Sequence, residues 1–284
     1  MKHFFYFASV ILFPFIGFGD IYDCCTFFHE TEVLELRLNE LNDYVDKFVI
    51  VEAGEGFSGL YHEYVFEQIK TQERFSKFIN KIIYIKVERP INISSIWHRE
   101  NYIKNQVMRG LINCNPDDLI LFSDVDEFPR GDMIPKLAEA IKITPVIGIL
   151  QQMYRHFLNR YAGPWIGTVA IRYDWLTTGP VSWRKHHPNG FRSHVAFSGN
   201  RELDGVSIPI WEGGWHFTAM AGFDIFQEKR QNWLHWQDSY PKTKEDWRYE
   251  VETHPLVSID DTFPKFVQEN LSYLTDRGLI ESTH

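Results

Sequence analysis

Asp124-Val125-Asp126-Glu127 places three carboxylates in four consecutive residues. On an extended strand end alternate side chains point to one side, so Asp124 and Asp126 are expected to share a hard divalent cation. Such a cation bridges the two phosphates of a nucleotide sugar and takes up the charge that develops on a leaving diphosphate. A bare D-x-D pair is also compatible with a solvated acidic turn. The setting favours the cation: Asp118 to Ser123 is a buried apolar strand running into the acids, and Pro129 stops it. An EF-hand is excluded, because the sixth loop position is Pro129 instead of Gly and the twelfth, Pro135, is not an acid.

Other residues could join this chemistry. Glu127 supports the metal ligands or, alternatively, forms a salt bridge at a helix entrance. Gly213-Gly214-Trp215-His216-Phe217 sets one histidine among small and aromatic residues, where it can reach a metal or sit in the core. In Trp97-His98-Arg99-Glu100, Arg99 is suited to a diphosphate with Glu100 fixing it, or the two make a surface ion pair. Lys185-His186-His187-Pro188 with His194 reads as a solvated loop and is assigned no metal.

These residues need a scaffold of alternating strands and helices. Strands are expected at Ile21 to Phe28, Lys47 to Glu52, Ile82 to Val87 and Asp118 to Ser123, the second ending in an acid at the sheet's carboxyl edge. Helices are expected over Glu30 to Asn42, Gln68 to Phe78, Trp97 to Ile112 and Asp132 to Ile143. Strand-like pieces follow at Val146 to Gln151 and Gly167 to Tyr173, then a helix from Phe223 to Trp236. The pattern predicts an α/β fold with a mostly parallel sheet flanked by helices, its second half facing an acceptor. Residues 20–240 form this domain, and 241–284 read as a peripheral helical extension.

Composition agrees with a folded chain and narrows its partners. The 284 residues are 44% hydrophobic, enough for a sizeable core, and the net charge of -9 with no basic stripe argues against nucleic acid. An aromatic content of 16%, with 9 Trp, suits stacking on sugar rings as well as core packing. Cys24, Cys25 and Cys114 suggest no disulfide framework or metal site. Residues 1–19, apolar from Phe4 to Phe18 behind Lys2, read as a signal peptide or a membrane anchor, with a hydrophobic first strand as the alternative.

At these residues the sequence resembles glycosyltransferase family 17, whose known activity is β-1,4 transfer of the bisecting N-acetylglucosamine (GlcNAc) to the core mannose of N-glycans. The matching stretches are Tyr22-Asp23-Cys24 with Phe27-Phe28, Arg37 to Leu41, Val45 to Glu52, Phe57-Ser58-Gly59, Arg99-Glu100, Asp118 to Pro129 and Gly214 to Phe217. The resemblance implies a Rossmann-like GT-A fold, a UDP-sugar donor, inversion at the anomeric carbon, and Mn2+, with Mg2+ as the alternative ion. Carried over by motif position, Asp124 and Asp126 serve ribose and metal, Glu52 the nucleoside, and His216 the phosphates or metal. Arg99, Glu127 and Trp215 stand with them on the donor side. After Gly59 the chain departs from the family's basic and Pro-Leu pattern with Leu60-Tyr61-His62-Glu63-Tyr64. Donor or acceptor preference is where that departure would tell.

An inverting displacement needs a general base, and Asp224 and Glu212, flanking the Gly-Trp-His segment, are the candidates. The acceptor would be a glycan or glycoprotein hydroxyl. A glycan-binding protein with a structural cation is the competing reading. A haloacid-dehalogenase-type phosphotransferase fits less well, because three strands precede the acid pair here and that type carries it on the first. The resemblance and the N-terminus together imply a Golgi-type lumen in a eukaryotic or viral setting, or membrane association in a bacterial one.

Overall fold

A computed structural model describes residues 19–176, 206–207, 213–220, 222–232 and 241–282. The Phe4 to Phe18 segment, the Lys185 to His194 loop and Glu212 lie outside the described residues. Among the described residues, no helix is long and apolar enough to cross a membrane.

The first half alternates as its hydrophobic pattern requires. Strand β1 (Ile21–Phe27), helix α1 (Thr31–Leu41), β2 (Lys47–Ala53), short helices α2 (Val65–Ile69) and α3 (Glu73–Ser76), β3 (Ile82–Val87), α4 (Ile96–Asn105) and β4 (Leu119–Asp124) follow in order. α4 is shorter than expected because its last turns tighten into a 3-10 segment, Gln106–Gly110. Ser95 caps its start, the hydroxyl accepting from the His98 amide at 3.4 Å.

Period-two side-chain alternation divides the core between the two faces of the sheet. Cys25, Phe27, Phe48, Ile50, Leu119 and Leu121 pack with Leu34, Leu38 and Leu41 of α1. Cys24, Val49, Val51, Ile120 and Phe122 pack on the other side with Ile103 of α4 and with Val107 and Leu111. Cys24 and Cys25 therefore point to opposite faces, and both are free thiols.

Second-half strands complete one sheet: β5 (Glu127–Pro129), β6 (Val146–Arg155), β7 (Tyr161–Arg172), β8 (Val206–Ser207) and β9 (Gly214–Thr218). Helix α5 (Ile134–Ala140) lies between β5 and β6, and α6 (Gly222–Asn232) follows β9. The order is β3-β2-β1-β4-β7-β6-β9-β5, with β8 beside β6. β3, β2, β1 and β4 are parallel, while β7 runs antiparallel to both β4 and β6. β5 ends the order, yet only Val125 and Asp126 separate it from β4, so the sheet curls back on itself at the acidic cluster.

Two expectations are corrected. Pro129 is not what stops β4, which ends at Asp124; it closes β5, which pairs antiparallel with β9. The C-terminal helices α7 (Lys244–Thr253), α8 (Lys265–Glu269) and α9 (Leu271–Asp276) are present, but they are not peripheral. Phe263, Val267, Leu274 and Leu279 are buried in the main core, and Trp247 and Val251 pack with Phe226 of α6.

Candidate active site at the carboxyl edge of the sheet

Strand β1 has β2 on one side and β4 on the other, so the chain reverses its direction of winding between β1 and β4. Parallel sheets bind ligands outside their carboxyl edge at such a switch point. The residues leaving β1 there are Phe28, His29 and Glu30; β4 ends on Asp124, and Val125 and Asp126 leave it.

Asp124 is the last residue of β4 and Asp126 stands beyond it on a turn, so the two acids do not share one extended strand end. Val125 is in the core, and each acid has its own cation. Asp124 Oδ1 lies 2.5 Å from the Lys104 ammonium of α4, which also pairs with Glu100 at 2.9 Å. Asp126, 5% exposed, places Oδ2 3.0 Å from Lys229 Nζ of α6 and Oδ1 3.7 Å from His216 Nε2. Lys229 reaches Glu30 as well, at 2.8 Å. Burial works against the charge on Asp126, but the Lys229 ammonium and the His216 ring outweigh it and hold the carboxyl far below the usual carboxylate range. Burial likewise opposes the charge on Lys229, and the Asp126 and Glu30 carboxylates overcome it, raising its pKa.

Behind the turn stands Arg37 of α1, fully buried. Its guanidinium makes two 2.7 Å bonds to the Asp23 carboxylate and donates to the carbonyls of Asp124 at 2.8 Å and Glu127 at 2.9 Å. It also donates to Ser123 Oγ at 3.0 Å. Glu127 is buried, and its Oε1 accepts from the Trp165 indole at 2.8 Å. The Trp165 ring packs on His216, centroids 5.1 Å apart, so Glu127 steadies the histidine through the tryptophan.

Alternation along β9 sends His216 toward Asp126 and Trp215 and Phe217 into the core. Trp215 is 3% exposed and its indole donates to the Thr262 carbonyl at 3.1 Å, tying β9 to the C-terminal segment. Glu52, near the carboxyl end of β2, is buried. Its carboxylate accepts from the Val65 amide at 2.6 Å, the Phe66 amide at 3.2 Å and the Tyr84 hydroxyl at 2.7 Å, capping α2. Burial pushes it up to about 7 against those hydrogen bonds.

Arg99 of α4 is turned to backbone carbonyls. It donates to the carbonyls of Phe57, at 2.8 Å, and Ile93, and holds the loop around Gly59. That loop also carries His62, buried and stacked on Phe28 with centroids 3.7 Å apart, where burial and the neighbouring His29 push its pKa down to about 4. Asp224 is exposed in the first turn of α6. Five residues from Lys229, it lies about 140° around the helix axis from the lysine.

The three residues expected to ligate a metal do not assemble as a set, because Asp124 turns to Lys104. Among the described residues, no group of three or more His, Cys, Asp or Glu is placed to hold a metal ion. Asp126 and His216 do stay together, one oxygen and one imidazole nitrogen, and His216 Nδ1 is buried without a partner. A Mg2+-type or Mn2+-type ion takes one or two protein ligands and completes its shell with substrate phosphates and water, so this pair fits such an ion. Sequence reasoning missed Lys104, Lys229, Glu30 and Trp165 as neighbours of the acids, and although Arg37 belongs to a matching stretch, its grip on the turn carried no signal.

A family model described as glycosyltransferase family 17 matches residues 18–170, more than half of the chain. The β-1,4-mannosyl-glycoprotein 4-β-N-acetylglucosaminyltransferases of Homo sapiens and Mus musculus are similar, 28% and 27% identical over 110 residues. The aligned stretch is 37% of this chain but only 21% and 20% of those relatives' length. Among solved structures, a mannosyltransferase from Pyrobaculum calidifontis in complex with GDP-Man and Mn2+ superposes with a TM-score of 0.41 at 10% identity, covering 84% of this chain and 70% of that one. Glucosyl-3-phosphoglycerate synthase from Mycobacterium tuberculosis, in complex with Mg2+ and UDP, gives 0.31 at 12% identity, covering 56% and 58%. The matched family span runs from the entry to β1 into β7 and contains the Asp124 to Glu127 turn with Arg37 and Lys104 beneath it: the chain belongs to glycosyltransferase family 17.

Proposed function

We propose that the protein is a metal-dependent, inverting glycosyltransferase that moves GlcNAc, or a similar sugar, from a UDP-sugar to a glycan hydroxyl, the β-linked mannose of an N-glycan core being the acceptor its relatives' names suggest. The observation that carries this reading is Asp126, buried at the switch-point edge, ionised, and facing His216. Family membership supports the donor class.

A divalent cation held by Asp126 and His216 would supply the positive charge that a departing diphosphate needs. The chain's own residues prepare the place. Arg37 fixes the carbonyls of the turn, so Asp126 presents its carboxylate without reorganising. Trp165, anchored by Glu127, holds the imidazole plane. Lys104 neutralises Asp124, leaving Asp126 as the acid nearest the histidine. Asp224 and Glu212 keep their proposed role of taking the acceptor hydroxyl proton, Asp224 from an exposed position on α6.

Incubating the protein with UDP-GlcNAc, Mn2+ and an N-glycan core tests the proposal by UDP release. The parent is expected to turn over, and Asp126→Asn, which keeps shape and removes charge, to lose about 10²-fold or more. Equal turnover by Asp126→Asn would refute the metal role. Glycan binding by the parent without UDP release from any nucleotide sugar would favour a glycan-binding protein instead.

A further inference from the structure

Lys229 sits on the very carboxylate, Asp126, that a cation-dependent transfer would need for its metal. Its ammonium lies between two carboxylates from opposite lips of the crevice: Asp126 at 3.0 Å, from the turn after β4, and Glu30 at 2.8 Å, from the connection between β1 and α1. The side chain is 11% exposed, so little water screens it. A divalent cation approaching Asp126 meets this charge at contact distance, and like charges in a partly buried site repel strongly. The lysine cannot leave into solvent without stranding Glu30, but it can give up one partner and keep the other.

We infer that Lys229 is a tethered counter-ion of Asp126 that an incoming divalent cation displaces, and that Glu30 holds the displaced ammonium. Before a donor binds, Asp126, Glu30 and Lys229 sum to one negative charge. Adding a divalent cation alone leaves the cluster positive, whereas adding it together with a nucleoside diphosphate restores the balance. The site therefore takes up its cation with the diphosphate and binds it weakly alone. This inference rests on the reading that places a cation at Asp126, and it has its own readout.

Mn2+ binding to the full chain, followed by the free-ion electron paramagnetic resonance signal with and without UDP, is the experiment. Lys229→Met is expected to bind Mn2+ about tenfold tighter than the parent in the absence of UDP, because the competing charge is gone. Glu30→Gln is expected to bind it more weakly than the parent, since the ammonium then has only Asp126. These opposite signs separate a counter-ion from a merely structural pair, whose loss would weaken binding in both variants. Unchanged or weaker binding by Lys229→Met overturns the inference. Should that variant not fold, Glu30→Gln carries the test alone, and unchanged or tighter binding by it overturns the inference. If Lys229→Met binds no tighter while the parent still releases UDP, the counter-ion role fails and the transfer reading stands; tighter binding with no turnover of any UDP-sugar by the parent gives the reverse.

Discussion

Arg37 grips the acidic turn by its backbone and is itself held by Asp23, both side chains being excluded from water. Arg37→Met would leave the Asp23 carboxylate buried and uncompensated, with a loss of about 3–5 kcal/mol expected in urea denaturation. His62 adds a pH dependence. Its pKa is lowered from 6.5 to about 4, so between those values the unfolded chain binds a proton that the folded one refuses. Stability contributed by the neutral ring is therefore present above about pH 6.5 and lost as pH falls through 4. Urea midpoints measured from pH 7 to 4.5 should fall less steeply for His62→Gln than for the parent. Asp124 and Asp126 were legible in the sequence because a buried strand runs into them. Lys104 and Lys229 were not: they meet those acids from 20 and 103 positions away, and no spacing rule reports a contact across such a separation.

At the scale of elements, the parallel half was readable because continuous apolar runs alternate with amphipathic ones, and β1 to β4 fall where those runs do. β5 was not readable, being three residues long and ending in proline, too short for any periodicity. Its pairing with β9 nonetheless places Glu127 opposite His216. Gly214 makes that pairing feasible, since a Cβ there would lie 2.2 Å from the Phe128 carbonyl oxygen. Gly214→Ala should cost about 1–3 kcal/mol through forced separation of the two strands, read as a lower urea midpoint with the slope unchanged.

For the whole molecule, the C-terminal stretch is part of the body that holds the site. Leu158 donates to the Leu279 carbonyl at 2.8 Å, Tyr161 to that of Pro255 at 3.0 Å, and Tyr273 donates to Glu35 of α1 at 2.8 Å. Sequence reading placed this stretch at the periphery because it is terminal, whereas Phe263, Val267, Leu274 and Leu279 are buried in the main core. Ending the chain after residue 240 removes Trp247, Phe263 and Leu279 from that packing. Loss of a cooperative thermal transition is expected in calorimetry, whereas a peripheral extension could be removed with the transition intact. The grip of Arg37 has one more consequence. Because it holds carbonyl oxygens, which every amino acid possesses, this grip on the turn does not depend on the side chains displayed there. The turn is thus mounted by its backbone, and a change of side chain at Asp124 or Asp126 leaves that mounting in place.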